Sequence, residues 1–254
     1  MIDEIKNRRT IRKYKNEDVS DKLLTQLLEA AAHASTTGNM QLYSVIITKD
    51  KEKKAAMAPA HFNQPAFTGA PVVLTFCADH NRFNQWCLQR KATPGYNNLQ
   101  SFMAATIDAL LLAQNFATLA EHEGLGICYL GTTTYNAPQI SKVLGLPKYV
   151  VPITTITVGY PAEDPAVQDR IPVKGFIHHE TYVDYECEDI DQLYNYKESL
   201  PINQQFVKEN QKETLAQIFT DIRYTKKDGD YFSEIYKKYI EEQYEFESDT
   251  KKIK

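Results

Sequence analysis

The sequence predicts a protein of the α+β class, in which helices and strands alternate irregularly. Residues 71–77 read Pro-Val-Val-Leu-Thr-Phe-Cys, which is typical of a strand buried on both faces. Residues 102–123 form the longest helical pattern and are apolar on nearly every side, so this helix is expected in a core or an interface. The irregular order argues against a regular doubly wound sheet.

The elements before the long helix are predicted from local patterns. Leucines at helical spacing over residues 21–34 predict an amphipathic helix, for which Ser20 is a suitable N-cap. Residues 43–48 read as a strand that ends at Lys49-Asp50-Lys51. Aromatic and polar residues over 80–98 predict a helix followed by a loop.

After the long helix the pattern changes to shorter elements. Gly124 stands where a left-handed C-cap belongs, and residues 127–130 predict a strand. Asn136 is expected to cap a short helix that ends at Gly145. Residues 150–159 are rich in β-branched side chains and predict a further strand.

The C-terminal part of the chain has a more polar character. Helices are predicted near residues 205–221 and 229–245, followed by a charged tail. We therefore expect one domain over residues 1–195 and a helical arm of the same domain over 196–254, which wraps the domain or a partner subunit.

Composition narrows the class of protein. The chain has 29 basic and 33 acidic residues and a net charge of -4, which argues against a nucleic-acid partner. No apolar run is expected to span a membrane, and the N-terminus has no apolar signal region, so we expect a cytoplasmic protein. Four cysteines without a C-x-x-C pair indicate reduced thiols. The six histidines have no ligand spacing, so no metal site is expected.

Segment 8–12 reads Arg-Arg-Thr-Ile-Arg and is a basic cluster in an acidic chain. Arg8 and Arg12 would lie on one side of a strand and nearly on one side of a helix, so they can converge on one anion. A guanidinium suits a phosphate because its planar fork donates two parallel hydrogen bonds and stays charged. For the cluster taken alone, the alternative is a solvated basic turn.

Two loops carry groups suited to a polar or flat ligand. Residues 35–41, Ser-Thr-Thr-Gly-Asn-Met-Gln, offer uncharged donors and acceptors, although such loops are also ordinary connectors. Residues 124–131 have the glycines of a dinucleotide fingerprint in the wrong order, because they close a helix and open a strand. Gly131 is therefore predicted either to let the backbone approach a flat ligand or to form a plain turn.

No side-chain nucleophile stands out from the sequence. It contains neither G-x-S-x-G nor a Walker loop, and no paired carboxylates suggest acid–base catalysis. If the protein is an enzyme, a cofactor is therefore expected to supply the chemistry.

Taken together, these segments resemble the FMN-dependent nitroreductase family, and more closely its branch of oxygen-insensitive NADPH nitroreductases and flavin reductases. The resemblance runs from about residue 5 to 185 and rests on motifs in the order of the family. These motifs are R-R-T-I-R-x-Y at 8–14, S-T-T-G-N-M-Q at 35–41, C-A-D at 77–79, D-A-x-x-x-A-Q-N at 108–115, G-L-G-x-x-Y-L-G at 124–131 and D-R-I-P at 169–172, followed by His179 and Tyr182.

The resemblance implies a three-layer sandwich, with a mostly antiparallel central sheet flanked by helices and a C-terminal helical extension. It also implies a homodimer that binds FMN non-covalently at its interface, with the long helix in the dimer core. NAD(P)H would be the co-substrate. A nitroaromatic, a quinone or a free flavin would be the electron acceptor, reduced by hydride transfer in a ping-pong mechanism. The flavin N5 would carry the reaction, so no catalytic side chain is expected.

The resemblance also assigns residues to the cofactor. Arg8, Arg12 and Arg170 would hold the phosphate and the ribityl chain. Arg9 and Thr10 would support the ring edge and the phosphate.

The remaining assignments concern the flavin ring. Thr36, Thr37 and Gly38 would reach the flavin from the partner subunit, and Gln64 would contact the ring. The residues beside the reactive N5 edge, which would donate backbone N–H groups, are Leu130, Gly131 and Thr132.

Three departures from the branch bear on function. Residues 168–170 are Gln-Asp-Arg where Lys-Pro-Arg is common, which removes a cation near the flavin N1. Residues 206–212 lack the arginines that select the 2′-phosphate of NADPH, so the choice of nucleotide stays open. Thr132 stands where a second glycine is common, which would narrow access to the ring. Two alternatives therefore remain: a specialised FMN enzyme with a non-nitro substrate, and a non-catalytic anion-binding dimer.

Overall fold

The structure, a computed structural model, describes residues 2–246. These residues form one sheet from β1 (Tyr43–Thr48), β2 (Val72–Asp79), β3 (Gly126–Leu130) and β4 (Val150–Gly159). The strand order is β1-β2-β4-β3, and every neighbouring pair is antiparallel. The predicted α+β class and antiparallel sheet are confirmed, and the part of the predicted arm beyond residue 246 lies outside the described residues.

The helices occur before, between and after the strands. In chain order they are α1 (Ile2–Lys6), α2 (Asp21–Ala31), α3 (Lys51–Met57), α4 (Pro65–Thr68), α5 (Asn81–Gln89), α6 (Leu99–His122), α7 (Thr132–Tyr135), α8 (Ala137–Leu144), α9 (Cys187–Ser199), α10 (Pro201–Glu209), α11 (Leu215–Ile218) and α12 (Lys226–Tyr244). Two short 3₁₀ turns, Thr37–Asn39 and Ala58–His61, belong to segments that matter for the site.

Helices cover both faces of the sheet, as the alternation along β2 requires. Val72 and Leu74 belong to a core shared with α2 and α6. Val73 faces the opposite side, where it joins Met57 of α3 and Phe67 of α4. All of β2 is buried, which explains its nearly continuous apolar sequence.

Helix α6 is the main core helix of this arrangement. It begins at Leu99, earlier than predicted, because the Asn98 side chain accepts a hydrogen bond of 2.9 Å from the Ser101 N–H and caps the helix. Its length and composition would also suit a membrane span, which corrects the sequence expectation. Its packing against all four strands, with Leu112 and Phe116 buried, accounts for this apolar composition by the core.

Three of the four predicted helix caps are confirmed. Ser20 accepts a hydrogen bond from the Leu23 N–H, and Gly124 and Gly145 have the positive φ of helix ends, 78° and 65°. Asn136 stands at the predicted N-cap position of α8, but its side chain makes no capping bond to the helix. It donates instead to the carbonyl of Ala60 at 2.8 Å.

The predicted helix over 205–221 is interrupted. Gln211 has a positive φ of 52°, which ends the helical path after α10. The Thr214 side chain then caps α11 by accepting from the Gln217 N–H. The sequence pattern therefore indicated helical residues but missed the turn between them.

Five helices of the described chain were not predicted from the sequence: the short α1, α4 and α7, and the longer α3 and α9. Helix α9 is polar, and its one clear signal is the reciprocal capping pair of Glu186 and Asp189. Helix α3 begins after Asp50, whose carboxylate accepts from the Lys53 N–H at 2.8 Å. The aspartate that appeared only to end β1 is thus also the N-cap of the next helix.

The described chain divides into two compact units. One contains the residues up to Ala166 and those from Phe232 onward, and the other is Val167–Tyr231. The end of α12, including buried Tyr239 and Tyr244, therefore belongs to the first unit. The sequence placed the start of the arm after residue 195, a position inside α9.

Candidate functional site

The arginine segment 8–12 is not helical and runs beside the start of β3. The Ile11 N–H donates to the carbonyl of Ile127 at 3.0 Å. The approach is close, since a Cβ atom on Gly126 would lie 2.6 Å from the Cβ of Ile11. A glycine at residue 126 is therefore what allows the arginine segment to lie against the strand.

Two of the three arginines in the segment are held by carboxylates. Arg8 forms a two-point ion pair with Glu121 near the end of α6, and Arg9 pairs with Asp164. The Nε–H of Arg9 is buried and has no hydrogen-bond acceptor in the part of the chain that the structure describes. This donor is suited to an anionic oxygen of a ligand.

The backbone of the segment is held by a third carboxylate. Glu163 accepts hydrogen bonds from the backbone N–H groups of Arg12, at 2.6 Å, and Lys13, at 3.0 Å. The Arg12 side chain itself is exposed to solvent. The sequence identified the arginines but not these carboxylates, because their positions in a helix and a loop carry no pattern that names a distant partner.

A cavity of about 340 Å³ opens at this place. Its charged lining consists of Arg8, Arg9, Glu4, Glu121, Glu163 and Asp164, with His122 beside them. The carboxylates here orient the arginines at the cost of reducing the local positive potential.

The loop over residues 35–41 is held by the buried Asp108 of α6. This carboxylate accepts from the Thr37 N–H at 2.8 Å, the Thr37 hydroxyl at 3.0 Å and the Leu42 N–H at 3.1 Å. Gly38 between them has a φ of 54°, a left-handed conformation that favours glycine. The loop is thus ordered, while Thr37 and Gly38 remain exposed.

The loop and the arginine segment lie apart within one chain. Asp108 holds the loop and Glu121 holds Arg8, and both carboxylates belong to α6. At ~1.5 Å per residue, they are roughly 20 Å apart along the helix axis. Thr36, Thr37 and Gly38 are therefore not brought to Arg8 by the fold of a single chain.

The residues predicted beside the ring edge follow the end of β3. Leu130 is buried, Gly131 is exposed, and Thr132 begins α7. A Cβ atom built on Gly131 would meet nothing within 4 Å, so the backbone there is open. The Thr132 hydroxyl points instead to His61, whose Nδ1 lies 2.8 Å away.

Gln64 lies close to this second group of residues. It precedes α4, and its N–H donates to the carbonyl of His61 at 3.1 Å. Burial lowers the pKa of His61 to about 4, so its ring is neutral at physiological pH. The structure therefore brings the Gln64 segment and the 130–132 segment together through one histidine that the sequence analysis did not identify.

Arg170 belongs to the second unit of the chain. Its guanidinium is exposed and donates to the carbonyl of Asp169 at 2.8 Å. The Asp169 carboxylate pairs with Lys197 of α9 at 2.6 Å. Gln168 and Asp169, which depart from the family pattern, therefore both make contacts within this unit: the Gln168 carbonyl accepts from Arg170, and the Asp169 carboxylate pairs with Lys197.

The described residues contain no group of three or more His, Cys, Asp or Glu side chains that could hold a metal ion. Cys128, which lies near the arginine segment, is buried, and this burial raises the pKa of its thiol. A protonated, buried thiol is a poor nucleophile. The side chains and backbone of the site therefore offer guanidinium groups, the carboxylates paired with them, hydroxyl groups and backbone N–H groups.

Comparison with known protein families matches residues 5–160 to the nitroreductase family. The match covers more than half of the chain, and the protein therefore belongs to that family. The resemblance inferred from the sequence motifs is confirmed.

Individual relatives agree with this assignment. The FMN reductase (NADPH) of Bacillus subtilis (strain 168) is 33% identical over 183 residues, which cover 71% of this chain and 74% of that protein. The crystal structure of a protein described as an oxidoreductase from Bacteroides fragilis NCTC 9343 has a TM-score of 0.95 and 59% identity, and the match covers 96% of this chain and 100% of that chain. The structure of the NfrA1 nitroreductase of B. subtilis has a TM-score of 0.80 and 29% identity, and the match covers 92% of this chain and 98% of that chain. The predicted nitroreductase-like fold is confirmed.

Proposed function

We propose that this protein is an FMN-dependent oxidoreductase that uses NAD(P)H to reduce a nitroaromatic, a quinone or a free flavin. The observation that carries the proposal is the arrangement along β3. Cationic side chains lie beside its first residues, and an open glycine backbone follows its last residue. Membership of the nitroreductase family, and a relative named as an FMN reductase, support the same conclusion.

The dimensions of this arrangement suit FMN. From Ile127, where Ile11 is bonded, to Leu130 the strand advances roughly 10 Å at 3.4 Å per residue. An extended ribityl phosphate covers a distance of this order. The arginine end offers charged donors for a phosphate, and the Gly131 end offers an exposed residue with free space at its Cβ position.

Each group of residues has a separate task in this proposal. Arg8, Arg9 and Arg12 hold the phosphate, with Thr10 beside them, and Arg170 remains a predicted member of this set. The backbone of Leu130, Gly131 and Thr132 donates to the ring edge, which favours negative charge there. When bound, FMN would accept a hydride from NAD(P)H and pass the electrons to an acceptor that enters after the nicotinamide leaves.

We propose that the enzyme is a homodimer and that Thr36, Thr37 and Gly38 contact the flavin bound to the partner. The separation of roughly 20 Å between Asp108 and Glu121 along α6 supports contact in trans. Helix α6 also has a partly exposed apolar face. Its members are Leu99, Met103, Ile107, Leu110 and Leu111. A contiguous apolar patch of this kind is typical of a subunit interface.

Two measurements test the proposed function. A visible absorption spectrum of the purified protein should show bound flavin, and steady-state assays should show NADH or NADPH oxidation with at least one acceptor. Intersecting rather than parallel double-reciprocal plots would count against the ping-pong order. Flavin binding without oxidation of either nucleotide would favour the specialised FMN enzyme. A colourless protein that cannot be reconstituted with FMN would favour the anion-binding dimer.

A further inference from the structure

His61 is a buried titratable group that contacts Thr132 at the predicted ring edge, and the proposed function gives it no task. Its side chain is fully buried, and its ring stacks on Phe67 with the centroids 4.4 Å apart. One nitrogen, Nδ1, lies 2.8 Å from the Thr132 hydroxyl. The other, Nε2, has no hydrogen-bond partner among residues 2–246. A phenylalanine would stack as well without burying an unpaired nitrogen, so the bond to Thr132 distinguishes histidine at this position.

Thr132 is the residue that needs such a partner. Adjacent Gly131 is exposed and open, whereas Thr132 is only 7% exposed. A threonine has few χ1 rotamers, and the hydrogen bond to Nδ1 selects the one that turns the hydroxyl toward the protein. Without this bond, the buried hydroxyl would lack a hydrogen-bond partner, and rotation of the side chain to another χ1 rotamer would lower the energy.

His61 also connects two segments of the predicted site. Its carbonyl accepts from the Gln64 N–H, and its ring holds Thr132. The neighbouring Ala60 carbonyl accepts from the side chain of Asn136, the residue after α7, at 2.8 Å. Two side-chain hydrogen bonds therefore join the turn Ala58–His61 to the two ends of α7, one at Thr132 and one at Asn136.

We propose that His61 is a positioning residue for the flavin: it keeps the Thr132 side chain turned into the protein, so that the backbone at Gly131 and Thr132 stays open to the ring. This inference rests on the proposed FMN function. It removes the steric difficulty that a threonine in the second glycine position poses. His61 is needed for FMN binding only because residue 132 carries a side chain, since a glycine at residue 132 would leave the histidine nothing to hold.

A double-mutant cycle tests this dependence. His61→Leu should raise the dissociation constant for FMN about tenfold, the effect of one lost hydrogen bond and an unpaired hydroxyl. In a Thr132→Gly background, the same His61→Leu change should alter the dissociation constant by less than about twofold. His61→Asn, whose side-chain amide can reach the same hydroxyl, should largely restore binding. The dissociation constant is measured by flavin fluorescence, and a thermal melt without FMN reports on folding.

The outcomes separate positioning from packing. An equal loss of FMN affinity in both backgrounds would mean that His61 acts through the core, and would overturn the inference, as would no loss in either. If His61→Leu does not fold, Thr132→Val in the wild-type background replaces it. This variant keeps the branched shape, lacks the hydroxyl and should weaken FMN binding similarly. Unchanged affinity of Thr132→Val would then overturn the inference. A wild-type protein that binds no FMN would instead refute the proposed function itself.

Discussion

The guanidinium of Arg8 makes a two-point contact with the carboxylate of Glu121, with Nη2 3.0 Å from Oε1 and Nε 3.2 Å from Oε2. Such a pair orients the planar guanidinium and also offsets its charge. The two side chains remain 26% and 21% exposed, so a ligand can reach them. In the proposed site, Arg8 would therefore meet the phosphate as an oriented donor whose charge is partly neutralised by Glu121.

Removing either member of this pair should have opposite effects on FMN binding. Arg8→Ala should raise the dissociation constant about 10- to 100-fold, because charge-assisted hydrogen bonds contribute roughly 1.5–3 kcal/mol. Glu121→Gln should lower it several-fold, about what removing one nearby negative charge at partial exposure provides. Arg90→Ala, at the exposed residue that follows α5, is the control and should bind as the wild type does. If Glu121→Gln weakens binding instead, the carboxylate acts mainly by holding Arg8 in place.

Gly131→Ala should separate ligand binding from folding. The φ of Gly131 is -64°, which alanine adopts easily, and no protein atom would touch the added Cβ atom. Stability without FMN should therefore stay unchanged or rise by up to ~1 kcal/mol. FMN affinity should fall, because the methyl group would occupy the place proposed for the ring edge. Gly95→Ala, which also has free space, is the control. Equal FMN affinity in all three proteins would show that the ring edge lies elsewhere.

The apolar face of α6 should hold the proposed dimer together. Leu110 is 43% exposed in the single chain, and a glutamate there would bury a charge in the interface. Leu110→Glu should shift the protein toward monomers in analytical ultracentrifugation and reduce FMN binding, since the partner loop would be lost. Leu88→Glu on α5, where the leucine is 62% exposed, should leave both properties unchanged. A dimer that persists in Leu110→Glu at low protein concentration would contradict this interface.

Buried histidines should make the fold sensitive to mild acid. Burial lowers the pKa of His80 to about 4, although Asp79 and Asp108 oppose the shift. As the pH falls below the unfolded value of 6.5, only the unfolded chain takes up the proton, so stability declines until the native pKa of about 4 is reached.

The size of this effect can be isolated with one variant. Between pH 7 and 5, His80 should account for a loss of ~2 kcal/mol in the free energy of unfolding. His80→Phe should remove this pH-dependent loss, even if the substitution itself lowers stability at both pH values. His33→Gln, at an exposed histidine, should leave the loss unchanged. Urea denaturation at both pH values supplies the comparison. An identical loss in the wild type and His80→Phe would mean that His80 is protonated in the native state.

The strands and core helices could be predicted because burial leaves a local pattern. All of β2 is buried, as its nearly continuous apolar sequence predicts. Helix α9 and the break after Gln211 were missed because polar helices on a surface carry little periodicity. Backbone details of this kind depend on caps and turns, which are short and ambiguous signals.

The candidate site divides in the same way. Clusters of arginine and glycine can be recognised in the sequence as candidate site residues, whereas the single residues Asp108, Glu121 and His61 cannot. Each lies far along the chain from the group that it holds, and its partner is set by the packing of α6 and of the turn before α4. The sequence therefore predicts candidate ligand-binding residues, while the residues that orient them became visible only in the fold.

The proposed FMN site is tested most directly by titrating the purified, flavin-free wild-type protein with FMN and following flavin fluorescence and visible absorption. We predict saturable binding of one FMN per chain, and weaker binding of riboflavin, which lacks the phosphate that segment 8–12 is proposed to hold. Equal affinity for riboflavin would remove the task assigned to segment 8–12. No binding of either compound would contradict the central claim that this protein is a flavoenzyme.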